Sequence, residues 1–271
     1  MPKLGEVYSK ALITGAGSGL GKAFSEALID NGIAVWGTSR NPETFEKEGI
    51  LTGVELDLNK ERDLPAWFEH WDDQAGGFDI LINNAGYGSF ADFADLPSQE
   101  LENQIQILLQ SPLLLAQTAV RRFRERKKGC VVNVSSVAGE LWIPYFSIYN
   151  AAKAGLSVFS QSLMSENPDS SPWVVDFRPA DYKTNFNRNT KIAPNQSTSV
   201  AAVWNRLVEL LGKAPVPEKA AHDLLSAIGK FSHCTCYSGS FFQTKIAPLT
   251  SRLFPKSLKR AILRHYFRLP P

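Results

Sequence analysis

Tyr149 and Lys153 lie four residues apart in the stretch SIYNAAKAG, residues 147–155. Small residues surround the pair, and a spacing of four places two side chains on the same face of a helix. A phenol beside an ammonium group could take part in proton transfer, because a nearby positive charge favours the phenolate and lowers its pKa. The pair could equally be a half-exposed tyrosine with a lysine stem packed beside it. Such a pair recurs by chance, so its meaning depends on what the rest of the chain places near it.

A glycine-rich turn, TGAGSGLG at residues 14–21, joins an apolar run to a segment with helical periodicity. Three glycines let the backbone turn tightly and approach a pyrophosphate, whose charge is favourable at the N-terminus of the helix. The strand before the turn and the helix after it predict a dinucleotide site, the alternative being a loop without a ligand. The predicted contacts are Gly15, Ser18, Gly19, Leu20 and Gly21.

The second predicted strand ends in TSR, at the position that distinguishes NAD(H) from NADP(H). An acidic residue there would bind the adenosine ribose hydroxyls. Ser39 and Arg40 instead offer a hydroxyl and a fork of donors that suit a 2′-phosphate. The sequence therefore favours NADP(H), with NAD(H) as the alternative if Arg40 is only an exposed residue at a strand end.

Six apolar runs alternate with helical segments along the first 180 residues. The runs are KALITG (10–15), IAVWGTSR (33–40), TGVELDL (52–58), FDILINNAG (78–86), GCVVNVSS (129–136) and WVVDFRPA (173–180). Helical periodicity covers residues 19–32, 41–49, 61–74, 97–128 and 147–166. Strands rich in Val, Ile and Leu that alternate with helices predict a doubly wound α/β fold with a parallel sheet, the Rossmann fold. No repeat or linker divides the chain, so we expect a single domain over residues 1–240, followed by a helical extension over residues 241–271.

The bulk composition is that of an ordinary globular protein, with 44% hydrophobic and 21% charged residues. No apolar run reaches the roughly 20 residues of a membrane span, and the first ten residues lack the apolar stretch of a signal peptide. We therefore expect a cytoplasmic protein, with Cys130, Cys234 and Cys236 as reduced thiols and no metal site. Eight of the 29 basic residues follow Asp223 and none of the 27 acidic residues does, so the chain ends in a basic tail.

Four motifs occur in order: TGAGSGLG, NNAG at residues 83–86, NVSS at 133–136 and YNAAK at 149–153. With them the chain resembles the short-chain dehydrogenase/reductase family from about Leu12 to Thr184. The resemblance implies that Tyr149 is the acid/base of a carbonyl reduction and that Lys153 lowers its pKa and binds the nicotinamide ribose. It also implies that Ser136 holds the substrate oxygen, with Ser135 the less favoured candidate.

The resemblance extends to further cofactor contacts. Asp57 resembles the residue that meets the adenine, with Leu58 beside it, and Thr184 resembles the residue that contacts the carboxamide. Asn83, Asn84, Ala85 and Gly86 resemble the stretch that lines the cofactor and braces the sheet. Pro179 resembles the proline that precedes the carboxamide contact. The alternatives are a helix cap at Asp57 and a plain asparagine turn.

The chain departs from the family pattern at two positions. Leu108 stands where the family has an asparagine that completes a water-linked proton route to the lysine, and only a main-chain carbonyl there, or Gln104 or Gln110, could contribute instead. Ala180 stands where a glycine is usual after the proline, which is a mild departure. The first raises the alternative that the protein binds nucleotide without turnover and reports nucleotide state to a partner.

Residues beyond Thr184 are expected to select the substrate, with a mobile loop and helix forming a lid near residues 185–215. Five aromatic residues are candidates for the pocket wall, and together they predict a hydrophobic carbonyl or alcohol: Trp142, Tyr145, Phe146, Phe186 and Trp204. Phe254, Leu258, Ile262 and Tyr266 form one side of a helix in the basic tail.

The sequence thus predicts an NADP(H)-dependent oxidoreductase that interconverts a carbonyl and an alcohol, and the family resemblance implies a homodimer or homotetramer. The tail has three interpretations, in order of preference: a cover on the protein's own pocket or subunit interface, a peripheral membrane helix, and a nucleic-acid contact. Nothing else in the chain resembles a nucleic-acid-binding fold, so we expect no nucleic-acid partner.

Overall fold

The strands of the computed structural model confirm the predicted parallel sheet. The structure describes residues 3–43, 51–168, 170–186, 189–192, 197–246, 248–249 and 253–269. Its strands are β1 (Lys10–Ile13), β2 (Ala34–Ser39), β3 (Leu51–Glu55), β4 (Ile80–Asn83), β5 (Ser89–Phe90), β6 (Cys130–Val134), β7 (Trp173–Pro179), β8 (Lys191–Ile192) and β9 (Cys234–Ser238). Seven of them form one sheet in the order β3-β2-β1-β4-β6-β7-β9, with every pair parallel, and β5 pairs with β8.

Helices cover both faces of this sheet. They are α1 (Leu4–Val7), α2 (Gly19–Asp30), α3 (Leu64–Ala75), α4 (Ser98–Ile105), α5 (Ser111–Arg126), α6 (Ser147–Glu166), α7 (Thr198–Gly212), α8 (Pro217–Ile228) and α9 (Lys256–Tyr266). The apolar sides of α2 and α8 bury one face of the sheet, and those of α3 and α5 bury the other. This arrangement is why the strands carry continuous apolar runs rather than alternating ones.

The strand order reverses between β1 and β4, because the chain builds β1 to β3 outward on one side and then returns to the middle. In sheets of this kind ligands bind at the carboxyl ends of the strands beside such a switch point. The glycine turn after β1 and the NNAG stretch after β4 both begin there. The topology therefore brings the two predicted cofactor-binding stretches together.

All six predicted strands are present, but the sequence did not reveal three others. Edge strand β9 has the sequence CTCYS, which lacks the aliphatic run that marks the buried strands. Strands β5 and β8 have two residues each, too short for periodicity. The helix expected within residues 41–49 lies mostly outside the described residues.

The long helical stretch 97–128 is not one continuous helix. A π-turn over Gln106–Gln110 separates α4 from α5, whose second residue is Pro112. Periodicity of apolar residues does not detect this insertion, because both flanking helices keep their own pattern. π-Turns of this kind occur frequently at functional sites.

One buried carboxylate connects α3, α5 and the start of β4. Asp72 is fully buried and accepts hydrogen bonds from Arg126 Nη1 at 2.8 Å, from Arg126 Nη2 at 3.0 Å and from the Phe78 main-chain N–H at 2.7 Å. The neighbouring Asp73 is exposed and pairs with Arg122 at 2.8 Å. Asp72 thus pairs with Arg126 and, at 3.6 Å, with Arg122 Nε, whereas Asp73 pairs only at the surface, with Arg122.

We predict that Asp72→Ala lowers the free energy of unfolding by about 3 kcal/mol, because removing one partner leaves a guanidinium and a main-chain N–H without their acceptor. Asp73→Ala is the matched control and should change it by less than about 1 kcal/mol, as is usual for surface pairs. Urea unfolding followed by circular dichroism measures both. Equal losses for the two variants would contradict the role given to Asp72.

Candidate functional site

The structure brings the three predicted catalytic residues together at the end of β6. Tyr149 and Lys153 lie in the first two turns of α6, and Ser136 follows β6 by two residues. The Lys153 Nζ lies 5.8 Å from the centroid of the Tyr149 ring, and the Ser136 hydroxyl is close enough to the phenol to lower its pKa. Ser135 is turned away, because its hydroxyl donates to buried Asp176 at 2.5 Å. The Ser136 hydroxyl, the Tyr149 phenol and the Lys153 amine therefore lie close together.

The electrostatics of the pair differ from the expectation that Lys153 lowers the Tyr149 pKa. Desolvation by burial raises the Tyr149 pKa to about 12; the hydrogen bond from Ser136 opposes this and the charge of Asp181 adds to it. Burial also lowers the pKa of Lys153 to about 8. The predicted lowering of the Tyr149 pKa is therefore wrong for the chain alone, because the cost of burying a phenolate outweighs the attraction of the neighbouring amine.

The Lys153 amine is held by the main chain. It is 4% exposed and donates a hydrogen bond to the Val134 carbonyl at 2.6 Å. The described residues form no ion pair with it. The site is therefore arranged so that a proton resides on Tyr149 at neutral pH, which is the state required of a proton donor.

The glycine turn has the geometry of an anion site. Gly15 and Gly19 have φ angles of +68° and +55°, which side chains disfavour, and a Cβ at Gly21 would lie 2.2 Å from the Gly15 carbonyl oxygen. Asn84 fixes the turn by donating from Nδ2 to the carbonyls of Thr14 and Gly15 at 2.9 and 3.1 Å. Ser18 makes no side-chain cap, so the first N–H groups of α2 face outward for a ligand.

Other predicted cofactor residues lie around this turn. Thr184 approaches it closely, since a Cβ at Gly19 would lie 3.3 Å from the Thr184 Cβ. Arg40 is exposed directly after β2, and Ser39 Oγ accepts from the Asn41 main-chain N–H at 3.1 Å. The site thus offers the N–H groups at the start of α2, a glycine turn that a ligand can approach closely, and the guanidinium of Arg40. Together these donors fit a phosphorylated dinucleotide.

Asn83 and Asp57 have structural partners of their own. Asn83 Nδ2 donates to the Pro112 carbonyl at 3.1 Å and to Asn133 Oδ1 at 2.9 Å, so it braces the sheet as expected. Asp57 Oδ1 accepts from the Asn59 N–H at 3.1 Å in a turn, whereas the N-cap of the following helix α3 is Asp63 and not Asp57. The Leu58 side chain is buried in the core beneath α3. The adenine contacts of Asp57 and Leu58, and the cofactor contacts of Ala85 and Pro179, remain predictions.

The two departures from the family pattern fit their surroundings differently. A Cβ at Gly86 would lie 2.7 Å from Leu108 Cδ2 and 4.0 Å from Lys153 Nζ, so the leucine fills space beside the lysine. Ala180 is accommodated because Gly239 lies opposite it, where a Cβ would be 2.7 Å from the alanine methyl group. Gln110 is exposed and Gln104 is fully buried, so of the two only Gln104 faces the interior.

Aromatic rings surround Tyr149. Its ring centroid lies 5.5 Å from that of Phe146 and 5.6 Å from that of Phe186. Tyr145 and Trp204 join the same cluster, as expected, whereas Trp142 lies outside it and stacks beneath Lys259 Nζ at 4.4 Å. Several further members of the cluster come from β5 and the tail, where no sequence pattern predicts a place beside Tyr149: Phe90, Leu263, Phe267 and Leu269.

The tail packs on this aromatic cluster, as the first of its three interpretations expects. Phe267 is 4% exposed, Arg206 Nε donates to the Tyr266 carbonyl at 3.3 Å, and Arg268 pairs with Glu209 at 3.2 Å. The orientation of α9 differs from the expected one: Leu263 faces the cluster, whereas Leu258 and Ile262 are both 45% exposed. Helical periodicity identified an apolar side but could not show which apolar residues the body of the protein covers.

The sequence is similar to known oxidoreductases. The short chain dehydrogenase family matches residues 9–194, well over half of the chain. A relative from Bacteroides thetaiotaomicron, named 3-ketodihydrosphingosine reductase, is 29% identical over 248 residues, which cover 91% of this chain and 90% of the relative. The match to the family includes the glycine turn, the NNAG stretch and the Ser136, Tyr149 and Lys153 cluster.

Solved structures with 19 to 22% identity have the same fold. A short chain dehydrogenase/reductase from Burkholderia phymatum in complex with NAD aligns with a TM-score of 0.80 and 19% identity over 96% of this chain and 97% of its own. A short-chain dehydrogenase from Sphingobium yanoikuyae in complex with NADPH aligns with a TM-score of 0.69 and 22% identity, over 94% and 95%. The chain belongs to the short chain dehydrogenase family and is an oxidoreductase of that type.

Proposed function

We propose that this protein is an NADP(H)-dependent oxidoreductase that interconverts a hydrophobic ketone or aldehyde and the corresponding alcohol. The observation that carries the proposal is the grouping of Ser136, Tyr149 and Lys153 at the edge of the aromatic cluster. The glycine turn and the open N-terminus of α2 support nucleotide binding next to this cluster. NAD and NADPH are both found in structural neighbours, so the choice between them rests on this chain's own residues.

In the reductive direction each residue has a defined task. The bound nicotinamide cofactor supplies the hydride. Tyr149 keeps its proton until the carbonyl oxygen gains negative charge, because burial raises its pKa to about 12, and it then donates that proton to the oxygen. The Ser136 hydroxyl lies beside the phenol and would hold the same oxygen in position. Lys153 would orient the cofactor ribose, since its amine has three N–H donors and only one is used on the Val134 carbonyl.

The substrate class follows from the walls of the site. Phe90, Phe146, Phe186 and Trp204 form an apolar surface beside the Tyr149 ring, which favours an alkyl or aromatic chain over a sugar. The name of the Bacteroides relative describes the reductase of a long-chain keto compound. Both observations support a long-chain ketone as the substrate. The rival interpretation, a nucleotide sensor without turnover, is less well supported because all three catalytic residues are retained.

Four further predictions remain proposals: a homodimer or homotetramer, a cytoplasmic location, a catalytic domain over residues 1–240 and a lid near residues 185–215. The helix of the lid region, α7, buries Val200, Val203 and Leu207 in the aromatic cluster. Those side chains would have to separate from the cluster if the lid opens. Within the described residues, no three His, Cys, Asp or Glu side chains are grouped to hold a metal ion.

We also infer a peripheral contact with an anionic membrane. Large apolar side chains of the tail are exposed beside basic ones, and no acidic residue follows Asp223. Gln243, in the π-turn at Phe242–Ile246, donates to Asp181 at 2.5 Å, and burial followed by the charge of Asp181 raises the pKa of Tyr266 at the end of α9. This outer surface comprises Phe241, Phe242, Ile246, Leu253, Phe254, Leu258 and Ile262, with Lys245, Lys256 and Arg260. Apolar groups flanked by cations fit a lipid headgroup layer.

No described helix is sufficiently long and apolar to cross a bilayer, so such a contact would be at the surface. The inner side of α9 meanwhile packs on the aromatic cluster next to Tyr149. A membrane-bound orientation would therefore bring the lipid phase close to the pocket that would accept a long-chain ketone.

We predict that Tyr149→Phe abolishes turnover while the protein still binds NADPH. A positioned proton donor contributes about 10²–10⁴-fold to the rate, so kcat should fall by at least about 100-fold. NADPH oxidation against a panel of long-chain and short polar carbonyls measures turnover, and cofactor fluorescence measures binding. Tyr145→Phe, in the same cluster, is the control and should retain activity. Binding of NADPH without turnover of any carbonyl by the wild type would instead favour the nucleotide sensor.

We predict that Arg40→Ala weakens NADPH binding by about 30-fold and leaves NADH binding unchanged, because a hydrogen bond to a charged group contributes about 1.5–3 kcal/mol. Titration of cofactor fluorescence gives both dissociation constants. Arg62→Ala, which removes an exposed arginine before α3, is the control. A wild type that prefers NADH, or an equal loss for both cofactors, would refute the role given to Arg40.

We predict that the full chain sediments with phosphatidylcholine vesicles that contain phosphatidylserine, and much less with phosphatidylcholine alone. Leu258→Glu and Ile262→Glu should each weaken this binding by about tenfold or more, because each loses a buried aliphatic side chain of about 1.5–3 kcal/mol. Val208→Glu adds the same charge at an exposed valine of α7 and is the matched control. Binding that is equal in all variants, or absent from anionic vesicles, would rule out the membrane contact.

A further inference from the structure

Four buried polar atoms on one side of the site have no hydrogen-bond partner within the described part of the chain. They belong to three residues: Tyr87 Oη, Glu100 Oε1, and both Oε1 and Nε2 of Gln104. Gln104 is 0% exposed, so its whole carboxamide is removed from bulk solvent. An unsatisfied buried polar group costs about 1–3 kcal/mol, and proteins meet this need with internal water where no side chain does so. The Gln104 carboxamide, with both of its polar atoms unpartnered, therefore marks a place that binds water.

These residues form a series that starts beside Lys153. Leu108 contacts the position where a Gly86 Cβ would lie, and Lys153 Nζ is 4.0 Å from that position. Gln104 lies in the last turn of α4 and precedes Leu108, in the π-turn, by four residues, which is about one turn. Glu100 precedes Gln104 by one further turn, and Tyr87 is the next residue after Gly86.

The outer end of the series reaches the surface. Lys191 Nζ lies 5.0 Å from the centroid of the Tyr87 ring and 2.6 Å from Glu100 Oε2, and burial followed by hydrogen bonding with the Glu100 carboxylate raises the pKa of the Tyr87 phenol, so the three groups are close. The Lys191 side chain is well exposed. Polar groups therefore continue from the interior near Lys153 to a solvent-exposed ion pair. Such continuity is what a proton needs to cross an otherwise apolar region.

We propose that Gln104, with Tyr87 and Glu100, binds internal water that carries protons from solvent to Lys153 and Tyr149, in place of the route that Leu108 interrupts. This inference rests on the proposed reductase function. When Tyr149 gives its proton to the substrate oxygen, Lys153 passes one proton to the phenolate and regains one from the adjacent water. Each water in turn donates one proton and accepts one from its neighbour, so the net uptake is one proton from solvent and no group changes its oxidation state.

A glutamine suits this position because its carboxamide both donates and accepts, and so can orient water without becoming charged. Gln104 does not touch the reacting atoms and is a positioning residue. Leu108, next along the helix, excludes water from the direct side of Lys153. The proposed proton route therefore passes about one helical turn away from the Leu108 position, where the family has its asparagine.

The structural test does not depend on turnover. A high-resolution crystal structure of the wild type should show ordered water within hydrogen-bond distance of Gln104 Oε1 or Nε2. A carboxamide that is satisfied by protein groups alone would overturn the water site, whatever the substrate proves to be. Failure of the proposed function would instead appear as a wild type that turns over no carbonyl, so the two failures are distinguishable.

The kinetic test compares Gln104→Met, which keeps the length of the side chain and removes its polarity, with Gln110→Leu at an exposed position of the adjacent π-turn. Gln104→Met should lower kcat by about tenfold or more, since proton transfer contributes about 10²–10⁴-fold. It should also alter the pH profile and the solvent isotope effect, and leave the NADPH dissociation constant unchanged.

Adding Leu108→Asn to Gln104→Met should restore part of the lost rate, which repair of packing alone would not explain. Gln104→Leu serves as a second variant if the methionine disturbs folding, and thermal unfolding monitors both. Unchanged kcat, pH profile and isotope effect in a folded Gln104 variant would overturn the proposal.

Discussion

The hydrogen bond from Lys153 to the Val134 carbonyl is the interaction on which the geometry of the site depends. A lysine that is 4% exposed loses most of its hydration, and this one has only a main-chain carbonyl at 2.6 Å in return. Because Val134 ends β6, the bond fixes the first two turns of α6 against the carboxyl edge of the sheet. Ser136 is held at the same edge by its own hydrogen bonds, from the Ala138 N–H at 3.0 Å and to the Pro179 carbonyl at 3.4 Å.

The burial of Lys153 and Tyr149 also explains why the pKa of Tyr149 is raised in the chain alone, whereas the sequence predicts that Lys153 lowers it. Burial disfavours the charged form of both groups, so it raises the Tyr149 pKa to about 12 and lowers that of Lys153 to about 8. A sequence shows which ionisable groups are four residues apart, but the balance between desolvation and attraction depends on how deeply both are buried. The site holds a neutral phenol and an ammonium group that gives up its proton more readily than a free lysine does, which is a combination suited to giving a proton and receiving one.

The fold and the cofactor-binding turn could be predicted from sequence because their signals are local. Continuous apolar runs identify β1, β4, β6 and β7, and the glycines of the turn are required by backbone geometry that no other residue adopts readily. The edge strand β9 and the direction in which α9 faces could not be predicted, because both depend on contacts with distant residues. Leu263 and Phe267 lie among basic positions of the helix, yet they contact the aromatic cluster, since the body of the protein and not the helix alone decides which side is buried.

The two departures from the family pattern show how the chain compensates locally. Ala180 occupies the place of a glycine, and Gly239 on the adjoining strand end provides the space that its methyl group needs. Leu108 occupies the place of an asparagine, and a buried glutamine lies one turn away with all its polar atoms unsatisfied by protein. At Ala180 the methyl group needs extra space, and Gly239 provides it because glycine has no side chain. At Leu108 the missing property is a polar contact for water, and Gln104 is the described interior side chain near Leu108 that carries one. A loss of catalysis cannot therefore be inferred from Leu108 by itself, because the function of a buried polar group can move to a position about one turn away along the chain.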